Sequence, residues 1–206
     1  MKAQVQPITL ILISGILITL VGAAYIWGVP VIQKRTTLAD FTATTNFMLA
    51  LNDKILDIAN SGGGRHSVDI PKGFARVIPY DAADPNNNSI ILEVIIDQPM
   101  LVLDQEIPIK TSSLQEVGTF GRNEPRILTV KEDRFTTQYK LTFKLHYIEL
   151  DTTGGQPKGF KIALTSQDTS AGSEKATASF NKNIVQPGQA GNRGDLALTL
   201  IDVDVV

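Results

Sequence analysis

The pattern of apolar and polar positions divides the chain into three stretches. From Ala3 to Gln33 there is no charged side chain, and from Ile8 to Val29 the apolar character is broken only by small, hydroxyl-bearing or amphipathic residues. That is longer than the roughly 7–15 apolar residues of a secretory leader. It matches the about 20 residues needed to cross a bilayer as a helix. Tyr25 and Trp27 stand near its outer end, where an aromatic belt belongs.

Past Pro30, which is expected to kink the helix, the apolar positions take helical spacing. Leu38, Phe41, Thr45, Met48, Asn52, Ile55 and Ala59 recur at intervals of three and four, and Leu49, Leu51, Leu56 and Ile58 widen that face. Asn60-Ser61-Gly62-Gly63-Gly64 supplies a left-handed cap and then a joint. One nearly continuous helix over 4–60 would be roughly 85 Å long at 1.5 Å per residue.

After Gly64 the period drops to two. "SVDI", "FARVIPY", "SIILEVIID", "LVLDQEIPI", "RILTVK", "QYKLTFKLHYIEL", "FKIALTS", "ATASF" and "DLALTLIDVDVV" are short runs rich in β-branched and aromatic residues, separated by Pro, Gly and Asn clusters. They predict an antiparallel β-sandwich, immunoglobulin-like in layout, over 61–206. In the last run Leu196, Leu198 and Leu200 share one face, whereas Ile201, Val203 and Val205 share the other. A β-bulge or a transfer between sheets is expected near Leu200. The fold class is thus α+β, a long hydrophobic helix carrying a β headpiece. With Gly62 to Gly64 as a joint, a polypeptide starting near Arg65 is expected to be soluble, β-rich and monomeric.

Composition narrows the chemistry. A net charge of −2 shows no global bias toward nucleic acid, and the absence of cysteine excludes disulfides, thiol nucleophiles and zinc ribbons. His66 and His146 stand apart, outside any H-x-x-H or H-E-x-x-H spacing. "DAADPNNNS" lacks the glycine turn and distal glutamate of a calcium loop. Asp202 and Asp204 share a strand face, which reads as an edge that discourages aberrant pairing. "SGGGR" follows a helix, whereas phosphate loops precede one. No catalytic residue, cofactor or metal is therefore expected, and the chain does not read as an enzyme.

Two features point to surfaces instead. Gly15, Thr19 and Gly22 lie at i, i+4 and i+7, a small-residue strip where another helix backbone could approach. Asn87-Asn88-Ser89 is an N-x-S triplet in a predicted loop, which makes Asn87 a candidate N-glycosylation acceptor.

The opening "KAQVQPITLILISGILITLVGAA" resembles the class III signal peptide and N-terminal helix of archaeal type IV pilins and archaellins. The resemblance implies cutting by a prepilin peptidase at Lys2-Ala3/Gln4, so that 1–3 is a leader and the helix is retained. Bacterial type IV pilins usually place a glutamate just inside the mature chain, and here no acid precedes Asp40. The resemblance covers about the first 35 residues and implies an extracellular helical homopolymer built by a pilus assembly machinery from a membrane-inserted precursor. The other reading of the same residues is an uncleaved membrane anchor bearing a cell-surface binding domain.

Overall fold

The computed structural model describes residues 5–110, 114–153, 158–166, 171–191 and 194–206. A single helix, α1 (Val5–Ser61), runs for 57 residues through Pro30 without a break. It stops where the sequence stops it: Gly62 adopts φ 66° and its N–H donates to the Ile58 carbonyl at 3.0 Å.

Two six-stranded sheets follow, stacked on each other. The first runs β1 (Arg65–Asp69), β11 (Lys175–Gln186), β12 (Asp195–Val205), β9 (Lys158–Thr165), β8 (Glu149–Asp151), β5 (Val117–Thr119) from edge to edge. The second runs β10 (Ala171–Gly172), β2 (Phe74–Ile78), β3 (Ser89–Ile96), β7 (Gln138–Tyr147), β6 (Arg126–Phe135), β4 (Glu106–Pro108). Most pairings are antiparallel, as the short loops require, but β12 pairs with β9 and β5 with β8 in parallel. β5 and β10 are too short to show a period in sequence.

The phase change in β12 has the expected cause nearby. Phe180 pairs with Ile201 and Lys182 with Leu200, so Asn181 is an extra residue in β11 opposite the junction. Before that point Leu196 and Leu198 bury into a small cluster with Ala163 and Ala190; beyond it Ile201, Val203 and Val205 join the main core.

The main core includes the helix. Phe47, Met48, Leu51, Ile55 and Ile58 are buried with Ile90, Leu92, Leu141, Phe143, Leu145 and Val203. The expected face is the buried one from Phe41 to Ala59, widened by Thr44 and Phe47, and only Leu38 at its start is exposed. The glycine joint therefore does not separate two cores. A polypeptide starting at Arg65 would lack these helix side chains, which form one wall of the interior.

Three polar groups tie this interior together. Tyr147 donates from its hydroxyl to Asn52 Oδ1 of the helix at 3.3 Å, and burial pushes its ionisation up, out of any accessible range. Asn88, fully buried at φ 56°, donates to the Tyr147 and Ile162 carbonyls and accepts from the Leu164 N–H, which pins the two sheets at one end. Glu132, 0 % exposed, accepts the N–H groups of Met100 and Leu101 and so fixes the loop at the other end.

Candidate functional site

The largest chemical contrast on the molecule is the uncovered part of α1. Its large apolar side chains from Leu10 to Trp27 are 52–80 % exposed, although nothing in their composition suits them to water. The polar side chains do not offset this. Ser14 Oγ donates to the Leu10 carbonyl and Thr19 Oγ1 to the Gly15 carbonyl, both at 2.8 Å, so their hydroxyl protons are taken up by the helix itself. Further along, Thr36 and Thr42 do the same toward Ile32 and Leu38. Among the described residues this is the one helix long and apolar enough to cross a membrane.

The predicted small-residue strip lies on this rod. A Cβ at Gly15 or Gly22 would meet nothing within 4 Å beyond the helix's own backbone and adjoining residues, so the strip is open to a neighbour. Leu12, Gly15, Ile16, Thr19 and Leu20 outline a shallow groove there. Lys2, Ala3 and Gln4, the residues of the expected cut, lie outside the described residues.

The N-x-S triplet lies where β3 begins. Asn87 is half-buried and its carbonyl oxygen is 3.1 Å from Nδ1 of His146. Asn88 and Ser89 are fully buried, and the Ser89 hydroxyl donates to the Asn86 carbonyl. The hydroxyl that defines the triplet is thus enclosed in the folded headpiece, and attachment of a sugar at Asn87 would have to precede folding.

The strands carry side-chain clusters that sequence reasoning did not find, because their members are far apart in the chain. On the outer face of the second sheet, Glu106 takes bonds from Lys144 (2.7 Å) and Thr129 (2.5 Å), while Glu116 Oε2 is 2.7 Å from His146 Nε2. These groups line a cavity of about 170 Å³, in which the Glu106 carboxylate is paired with the Lys144 ammonium. Burial alone would push Glu106 up, but the bonds from Lys144 and Thr129 hold its carboxyl below the usual range.

On the first sheet, Glu149 and Asp151 project from β8 side by side. Burial pushes the Glu149 carboxyl up, the Gly191 N–H at 2.6 Å lowers it, and the neighbouring Asp151 raises it again, with a net upward result. Lys161, opposite Glu149 on β9, sits 5.1 Å over the Tyr80 ring, and its ammonium is pushed down by burial. Asp202 is no free carboxylate: it accepts from Thr165 Oγ1 and from Asn181 Nδ2. His66 lies beside Asp57 at 3.1 Å.

A larger cavity of about 520 Å³ opens at the end of the headpiece where α1 stops. It is bounded by Leu56, Ala59 and Asn60 of the helix and by Phe120, Leu150 and Phe160 of the strands. Phe120 and Phe160 pack there with ring centres 4.8 Å apart and planes tilted by 37°. Among the described residues, no three His, Asp or Glu side chains are grouped to hold a metal ion.

Compared with known proteins, the chain matches no family model, no curated protein sequence and no solved structure.

Proposed function

We propose that the protein is a structural subunit of an extracellular, type IV pilus-like filament of the archaeal kind, which polymerises through α1 after removal of a leader. The observation that carries this reading is the bare apolar rod from Thr9 to Ile32 rising out of a folded headpiece. Such a surface is stable in lipid or against other apolar helices. Because lipid and protein are equally apolar, close backbone contact must supply much of the attraction between copies, and Gly15, Thr19 and Gly22 allow it. A single unpaired charge in this stretch would cost several kcal/mol in either setting, and the stretch has none. The partners of this reading are copies of the same chain, a prepilin peptidase acting at Ala3/Gln4, the assembly machinery, and the membrane before assembly.

The test is intact mass and N-terminal sequencing of protein sheared from the cell surface. A chain beginning at Gln4, in filaments, is the expected result. Surface material that retains Met1 would instead favour the anchored binding domain. Gly22→Leu adds a second arm: processed subunit should accumulate in the membrane while filament yield falls. Unchanged filament yield would remove this helix face as a contact.

A further inference from the structure

We infer that the base of the headpiece is a membrane-docking surface, which seats against the headgroups of anionic lipids while the subunit is inserted. The inference rests on the helix crossing a bilayer, as the proposed function requires of the precursor, and it adds a face of the β headpiece to the contact.

The geometry follows from the absence of any linker. The 24 residues from Thr9 to Ile32 span about 36 Å as a helix, a little more than the roughly 30 Å of hydrocarbon. The headpiece begins at once: Gln98 Nε2 donates to Gln33 Oε1 at 3.1 Å, Thr37 is already buried, and Asp40 pairs with Lys72 at 2.5 Å. Ile32 and Thr37 are separated by about 7.5 Å along the axis, close to the thickness of one headgroup layer. A continuous helix cannot hold the headpiece further off.

The side chains at that level suit an interface. Asp97, next to Gln98, accepts from Gln138 at 2.7 Å, and Gln138 is the cross-strand partner of Phe135 at the tip of the β6–β7 hairpin. Phe135 is 51 % exposed. The loop after Gln98 presents Val102 and Leu103, also exposed, and Leu103 bridges to Glu132 near the same end of β6. Exposed aromatic and aliphatic groups beside the exit of a spanning helix belong in the headgroup region.

The charges agree. Lys34, Arg35 and Arg134 lie at this end, and among the described residues no carboxylate is placed within ion-pairing distance of them. Of the acids at this end, Asp40 pairs with Lys72, Asp133 and Asp104 share Lys131, and Asp97 accepts from the neutral Gln138 and keeps its charge. The three cations without a carboxylate partner, two of them at the exit of the helix, are the groups placed to meet lipid phosphate.

The full chain can be tested directly, since it contains no cysteine and single nitroxide labels are unambiguous. Phe135→Cys and Val102→Cys mark the base, Ile18→Cys the span, and Val185→Cys the end of the headpiece away from the helix exit. The proteins are reconstituted in vesicles of phosphatidylcholine with or without phosphatidylglycerol, and collision with oxygen and with an aqueous nickel chelate is read by electron paramagnetic resonance. Expected is a several-fold loss of chelate access at 135 and 102 relative to 185 on phosphatidylglycerol vesicles. Replacing Lys34 and Arg35 by Gln should lower the docked-to-undocked ratio by about fivefold per cation at low salt. Full chelate access at 135 and 102, with the label at 18 in lipid, overturns the inference. If the label at 18 also meets the chelate, the spanning helix itself is wrong and both readings fall.

Discussion

The two halves of α1 are one helix under two regimes. Thr9 to Ile32 is apolar on every side and covered by nothing, whereas Thr37 to Ile58 is apolar on one side and that side is the wall of a β-sandwich. In the second half polar residues stand among the outward positions: Asn46, Asp53, Lys54 and Asp57 are exposed, whereas Phe47, Met48, Leu51 and Ile55 are buried. A helix with one apolar stripe finds its partner within its own chain, and one that is apolar all round needs a partner from outside. The difference teaches that one element carries a half committed to the headpiece core and a half left for a partner from outside.

Removing the inner half should have the largest effect. A chain starting at Arg65 loses five large buried side chains, each worth about 1.5–3 kcal/mol of burial, together comparable with the 5–15 kcal/mol that holds a typical domain. It should aggregate or lack a cooperative thermal transition, whereas a chain starting at Lys34 should be a soluble monomer. Cooperative unfolding of both with equal midpoints would show that the helix is not part of the core.

Point changes sharpen the same contrast. Leu51→Ala in a chain from Lys34 should cost about 2–5 kcal/mol in denaturant unfolding, since Leu51 is fully buried. In the full chain in detergent, Leu17→Ala should leave headpiece stability unchanged, because Leu17 is 55 % exposed and touches no strand residue in the core. A loss at Leu17 similar to that at Leu51 would mean the outer half supports the fold.

A smaller effect is expected where helix and sheet meet through polar atoms. Tyr147→Phe removes the hydroxyl that reaches Asn52 and leaves a buried acceptor without its donor, at a cost of about 1–2 kcal/mol. Asn52→Leu with Tyr147→Phe should recover part of that loss, because no orphaned acceptor remains.

The smallest effect concerns pH and does not involve the helix. The Glu149 carboxyl is raised in the folded state, so the native protein holds this proton more firmly than the unfolded chain does. Its contribution is fully present below the unfolded value near 4.5 and is lost as pH climbs through the raised native value. Glu149→Gln keeps an acceptor for the Gly191 N–H and should flatten this part of the stability profile. An unaltered slope in the variant would assign the pH dependence to other groups.

Much of the architecture is legible in the chain. The end of α1 follows from Ile58 to Gly64, where the side-chain period stops and a glycine accepts a left-handed backbone. The long strands follow from strict alternation, as in Leu141, Phe143 and Leu145 against Lys140, Thr142 and Lys144. Leu38 was misplaced on the buried face because period alone gives the width of an apolar stripe and not the position of the wall it meets. Asn88 was invisible as a cross-link because it resembles any loop asparagine until Tyr147, Ile162 and Leu164 are brought to it. The Glu106, Glu116, Lys144 and His146 network was hidden for the same reason, since its members come from separate strands and loops.

Taken alone, the order of residues determined what local chemistry can decide: a charge-free run long enough for a bilayer, a helix that outlasts it, a glycine stop, and alternating strands to the end. Tertiary structure decided which half of the helix is covered, that β12 lies parallel to β9, that Asn181 bulges opposite the Leu200–Ile201 junction, and that Gln98, in the loop beside the β6–β7 hairpin, reaches Gln33 of the helix. The physical reason is range. Propensity and periodicity act over a few residues, while burial, strand pairing and charge compensation depend on which distant segments the closing core brings into contact.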